Sequence, residues 1–171
     1  TAHTLGTLLV ATMFKEFEID YSAMVKKPVP GLADLEPGQL DLEPLEVSAD
    51  GKSAKVVLFD VYGRGHAKFH QEVWVPYENG RVVPLHDGQT LNRIAVVQRY
   101  AGGRRHVVNG LFKGVRIERG AVATFWPAPK PYFVAVGSDS AEMCRCLKEV
   151  DSHVGGCVVT DGGQVKALLP L

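Results

Sequence analysis

The chain has 171 residues, 46% hydrophobic and 22% charged, and Lys plus Arg equals Asp plus Glu at 19 each. That length suits one domain with an extension and can bury a substantial core. A net charge of zero supplies no long-range field for nucleic acid or an anionic membrane, so neither is expected as a partner. No stretch reaches the roughly 20 apolar residues that a membrane helix needs.

Thr1 to Phe14 is apolar but has no basic leader. Leu5, Leu8, Leu9 and Met13 fall at helical spacing and predict a short docked helix. Lys27-Pro28-Val29-Pro30-Gly31 then reads as a connection. The chain thus divides into a helical segment with its connection, residues 1–34, and a domain, residues 35–171. From Leu40 onward, β-prone runs alternate with turn signals. Leu45-Glu46-Val47, Asp50-Gly51 and Ala54 to Val61 form an expected hairpin. His70 to Pro76 alternates Val73 and Val75 against Glu72 and Trp74, and Asn79-Gly80 turns it into Arg81-Val82-Val83. Ile94 to Val97 and Phe133 to Val136 are continuous apolar runs suited to buried strands.

Leu111 to Val122, with Gly110, Gly114 and Gly120, stays open between strand, helix and irregular crossing. Asp139 to Val150 predicts a helix. Asp139 or Ser140 is its N-cap, Glu142 lies in its first turn, and Met143, Cys146, Leu147 and Val150 form its apolar stripe. Gly155-Gly156 ends that unit, and Cys157 to Leu169 closes as a hairpin around Asp161-Gly162-Gly163. The expected class is α+β: a largely antiparallel sheet with a few helices packed on it, plus the N-terminal helical segment.

Three cysteines without a Cys-x-x-Cys pair make a disulfide framework or a zinc site unexpected, and a reducing, cytoplasmic setting fits. Cys144 and Cys146 diverge by about 200° on a helix and cannot share an ion. Cys157 reads as a small buried apolar residue. His66 and His70 have the spacing of helical metal ligands, but Gly63, Gly65 and Val73 to Val75 mark a strand, with Lys68 between the histidines. A polar sheet face is the better reading. His86-Asp87-Gly88 reads as a turn, and Arg104-Arg105 as part of an exposed loop. The glycines are too widely spaced for a phosphate or dinucleotide loop. No catalytic residue, metal or cofactor is expected.

From Leu91 the text becomes specific. Arg93-Ile94-Ala95-Val96-Val97-Gln98-Arg99, Asn109-Gly110-Leu111-Phe112-Lys113-Gly114 and Glu118-Arg119-Gly120-Ala121-Val122-Ala123 resemble the C-terminal domain of adenine deaminases. Val136-Gly137-Ser138-Asp139, Met143, Gly155-Gly156, Val158-Val159, Gly163, Val165, Ala167 and Leu169-Pro170-Leu171 continue the register, and Pro37-Gly38-Gln39 matches thinly upstream. The resemblance implies a deaminase that hydrolyses adenine to hypoxanthine and ammonia at a two-metal site, iron or manganese. That site lies in an amidohydrolase barrel, which Thr1 to Asp34 is too short to supply.

One departure stands out. Where the family has His-Asp-Ser-His-Asn, this chain has Ala128-Pro129-Lys130-Pro131-Tyr132. The segment Phe125 to Tyr132 becomes an aromatic loop stiffened by prolines. Phe125, Trp126, Lys130 and Tyr132 are therefore the candidate residues for stacking a small planar ligand or docking a partner; that Trp126 and Tyr132 merely pack on the sheet is the better reading. The expected function is a stand-alone, non-catalytic domain that binds a small ligand or a partner protein, as a homo-oligomer. The alternative is a subunit of a split purine deaminase completed by a separate barrel chain. A third reading places an unrelated hydrolase site at His66, His70 or His106.

Overall fold

A computed structural model describes residues 31–61, 68–98, 106–125, 132–153 and 155–170. A 3-10 turn at Pro37–Leu40 precedes β1 (Glu46–Val47), β2 (Ser53–Val61), β3 (Lys68–Glu78), β4 (Arg81–Val82), β5 (Leu85–His86) and β6 (Gln89–Thr90). Then come β7 (Asn92–Gln98), β8 (Val107–Lys113), β9 (Ala121–Phe125), β10 (Tyr132–Gly137), helix α1 (Ser140–Ser152), β11 (Gly156–Asp161) and β12 (Gln164–Pro170). One large sheet runs β12-β11-β9-β10-β7-β8-β2-β3-β4, with β1 also on β2, and β5–β6 is a separate hairpin.

Local chemistry sets the turns. Asn79 (φ 52) with Gly80 (φ 75), and Asp87 (φ 50) with Gly88 (φ 73), both take the left-handed conformation. A two-residue hairpin with the native strand twist requires that pair. Helix α1 starts where Asp139, in extended backbone, accepts a hydrogen bond from Glu142 N at 2.9 Å, satisfying one of the free amides of the first turn.

The α+β expectation is corrected on two counts. Among the described residues there is one α-helix beside the 3-10 turn, and the protein is dominated by strand. The sheet is mixed, because β2 pairs with β8 in parallel through Leu58↔Leu111, Phe59↔Phe112 and Asp60↔Lys113. That pairing joins strands separated by five others in sequence, and short-range hydrophobic period carries no information about it. The predicted N-terminal helix lies outside the described residues. The segment 111–122, left open by its glycines, resolves into the end of β8, an irregular crossing and the start of β9.

Helix α1 and the 3-10 turn cover one face of the sheet. Met143, Cys144, Cys146, Leu147 and Val150 of α1 pack with Leu32, Leu35 and Leu40 against Ala95, Val97, Ala121, Ala123, Phe125, Phe133, Ala135 and Val158. The same face continues over β2 and β3 as a second cluster of Leu42, Ala54, Val56, Leu58, Val73, Val75, Val82 and Leu111. No helix of the described residues is long and apolar enough to cross a membrane.

Candidate functional site

The four residues singled out in the aromatic loop do not form one cluster among the described residues. Phe125 ends β9 at 1% exposure, its ring stacked on Phe133 with centroids 4.2 Å apart. Tyr132 begins β10 opposite Gln98 and is 44% exposed. Phe133 pairs with Phe125 on the helix side. Tyr132, one residue earlier, therefore points to the other face. Trp126 and Lys130 lie outside the described residues.

Among the described residues the histidines do not converge either. His70 is exposed on β3 and His106 is exposed just before β8; His66 lies outside the described residues. His86 sits 3.4 Å from Asp87 and His153 sits 3.3 Å from Glu149, each beside its own local carboxylate. Among the described residues no three His, Cys, Asp or Glu side chains gather to hold a metal. Cys144 Sγ donates to Leu35 O at 3.2 Å and Cys146 Sγ to Val158 O at 3.1 Å. Burial raises the pKa of the Cys144 thiol and pushes that of Cys146 up to about 11, so both are held as unreactive thiols.

Buried and half-buried polar side chains, whose long-range bonds the sequence does not show, hold the scaffold. Asn92, 6% exposed, clamps the loop after β8: its Nδ2 donates to Ile117 O at 2.7 Å and its Oδ1 accepts from Ile117 N at 2.8 Å. Arg93 Nη1 donates to Ser140 Oγ at 3.0 Å, and Ser140 donates to Asp41 Oδ1 at 2.6 Å. Asn109 Nδ2 donates to Asp41 O at 2.7 Å. Together these bonds tie the chain after the 3-10 turn to β7, β8 and the start of α1. Asp60 at 7% exposure lies 3.5 Å from Lys113 Nζ across the parallel pair. One signal was available: Asp60 breaks the apolar alternation Ala54, Val56, Leu58.

Two shallow clefts border these groups. One of about 470 Å³ lies between the β5–β6 hairpin and the loop that Asn92 clamps, lined by Thr90, Phe112, Lys113 and Arg116 among others. One of about 280 Å³ is lined by Asp41, Arg81 and Arg93.

The second face of the sheet is also apolar across its middle strands. Cross-strand registers place Leu169, Cys157, Thr124, Val134, Val96 and Val108 in one row, and Ala167, Val159, Val122, Val136, Ile94 and Gly110 in the next. Phe59 lies over Gly110, whose missing side chain leaves room for the ring: a Cβ there would come within 2.8 Å of it. Neither row contains a charged residue. Val108 is 53% and Leu169 65% exposed.

Comparison with known proteins fits this architecture to a family. Residues 67–171 match the family described as the adenine deaminase C-terminal domain. An adenine deaminase of Oceanobacillus iheyensis is 39% identical over 97 residues, covering 57% of this chain but 16% of that protein. One from Desulforamulus reducens is 28% identical over 123 residues, 72% of this chain and 21% of that protein. One from Methylobacterium nodulans is 28% identical over 152 residues, 88% of this chain and 26% of that protein. The chain thus spans no more than about a quarter of these relatives' length. The resemblance read from Leu91 onward is borne out, and the chain belongs to the adenine deaminase C-terminal domain family.

Proposed function

We propose that this chain is the non-catalytic, partner-binding part of an adenine-deaminase-type assembly, with the purine chemistry carried by a separately folded catalytic part. The observation that carries the reading is the extent of the match, which covers a domain named for its C-terminal place and a small share of each relative. The geometry supports it: Asn92, Arg93, Asn109, Ser140 and Asp60 hold loops and strands in place. The metal pair implied by the resemblance needs several His and carboxylate ligands at one point. The described residues do not fit that requirement, and no chemical step is assigned to them. A cytoplasmic setting belongs to the same proposal, since purine bases and reduced thiols occur together there.

The test adds this chain to the metal-loaded catalytic part of the Oceanobacillus iheyensis relative, prepared without its C-terminal domain. Ammonia release from adenine and complex formation are both measured. A complex with raised or stabilised activity supports the reading; no complex and unchanged activity refutes it.

A second reading, a planar ligand at the aromatic loop, draws on the exposure of Tyr132 at the loop's end. The chain has two tryptophans, Trp74 and Trp126, so the titration uses a Trp74→Phe variant. A change in Trp126 emission on adding adenine or hypoxanthine supports this reading. Flat emission with no thermal stabilisation rejects it.

A further inference from the structure

We propose that the smaller cleft, between β4 and the chain after the 3-10 turn, binds a small organic carboxylate, held by Arg81 and Arg93 with its carbon tail on Leu42 and Val82. The cleft, of about 280 Å³, is lined by these four residues with Asp41 and Gly80. That volume falls below the roughly 300–1,000 Å³ of sites for drug-sized ligands, so it suits an acid of a few carbons.

Arg93 is the buried anchor. Its side chain is 23% exposed, and a guanidinium carries five N–H donors. Among the described residues one of these, on Nη1, meets an oxygen at hydrogen-bond distance, Ser140 Oγ at 3.0 Å. Nε is buried without a hydrogen-bond partner. Asp41 Oδ1 stands 3.7 Å from Nη1, too far for a hydrogen bond, and already accepts from Ser140 Oγ at 2.6 Å. A cation drawn this far out of water calls for a hydrogen-bonded counter-charge, and Asp41 supplies it only in part.

Arg81 adds a second charge. Exposed on β4, it lies across the hairpin from Glu78 but forms no ion pair with it or with any other described residue. Asp139, which caps α1 beside Ser140, spends its carboxylate on Glu142 N and Ser138 Oγ. The cleft therefore holds two positive charges and one negative, in a chain whose net charge is zero, and one carboxylate restores the balance. The planar fork of arginine matches the two oxygens of that group. Leu42 and Val82, 9% and 5% exposed, give the rest of the ligand an apolar wall. In the larger cleft the cations are already paired, Lys113 with Asp60 and Arg116 with Glu118, each at 3.5 Å.

The test needs no catalytic partner. Butyrate is the probe, added to the full chain at fixed ionic strength because salt screens an exposed guanidinium. Binding is followed by NMR, through the Arg93 Nε–H signal and the backbone amides lining the cleft, and by thermal stabilisation. The expected result is saturable binding with a Kd on the order of 1 mM, at least about 10-fold weaker in Arg81→Gln and in Arg93→Gln. Butanol, with the same tail and no charge, should leave the signals unmoved. Asp41→Asn keeps an acceptor for Ser140 Oγ but removes the competing charge, and should tighten butyrate by about 3–5-fold. If Arg93→Gln loses its cooperative melt, Arg81→Gln decides, since its side chain is exposed. No saturation by about 50 times the expected Kd, unchanged affinity in Arg81→Gln, or an equal response to butanol overturns the proposal. Inorganic phosphate that binds more tightly than butyrate overturns it as well.

Discussion

Asn92 is the side chain through which the architecture is most directly tested. Its amide makes two hydrogen bonds, 2.7 and 2.8 Å, to the backbone of one residue, Ile117. They hold the loop that walls the larger cleft. Asn92→Ala removes both bonds, each contributing about 1 kcal/mol net, and leaves a half-buried N–H and C=O unpaired, at a cost of about 1 kcal/mol each where water reaches only in part. The expected loss is about 2–4 kcal/mol. For a chain of this size that lowers Tm by roughly 5–15 °C, read by calorimetry or thermal circular dichroism. Hydrogen exchange at the Ile117 amide should quicken by at least about 30-fold. Asn92→Asp sharpens the test, because it keeps the acceptor for Ile117 N but turns a carboxylate oxygen toward Ile117 O. Burial and that carbonyl raise the folded pKa of the introduced carboxyl. Its stability should thus match the Asn protein most closely below the unfolded carboxyl pKa of about 3.9, and fall as pH rises through the folded value. A loss under about 1 kcal/mol for Asn92→Ala, with the Ile117 amide still protected, would refute the clamp.

Two further outcomes follow from the same geometry. Gly120 has φ +83 and a Cβ there would run into the carbonyl oxygen of Thr160 on β11, so Gly120→Ala should cost about 3 kcal/mol or more; Gly51, at φ +69 with open space around it, should lose only about 1 kcal/mol on the same change. Equal losses in urea titrations would contradict the close β9–β11 approach. Burial pushes the Cys146 thiol up to about 11, so the native state keeps it protonated where the unfolded chain ionises it. That contribution is complete below the ordinary thiol pKa of about 8.5 and is lost as pH rises through about 11. Stability measured from pH 8 to 11 should fall more steeply in wild type than in Cys146→Ala, and parallel curves would count against a buried thiol.

Much of the fold was legible because its signals are local. The turns at Asp50-Gly51, Asn79-Gly80 and Asp161-Gly162-Gly163 follow from glycine's access to positive φ. Helix α1 follows from the Asp139 cap and from Met143, Cys146, Leu147 and Val150, all fully buried. The parallel β2–β8 pair was not legible, since nothing in either strand's own period specifies a partner about fifty residues away. Gly110 likewise reads as a strand breaker until Phe59 is seen lying over it. The polar scaffold escaped for a similar reason: Asn92 and Ile117 meet only once β7 and the loop after β8 are folded side by side. At the aromatic loop the sequence indicated where to look, and the structure separates its ends, with Phe125 in the core and Tyr132 at the surface. The α+β expectation weighted two predicted helices equally, whereas only α1 has a described sheet beneath it.

Under the proposed function this chain is the partner of a catalytic part and performs no deamination by itself. The most direct measurement is ammonia release from adenine by the full purified chain supplied with iron or manganese, beside a reaction that also contains the catalytic part of a relative. The expected result is release at the rate of the protein-free control from the chain alone, with activity only where the catalytic part is present. Metal-dependent release from the chain alone, above that control and proportional to its concentration, would contradict it.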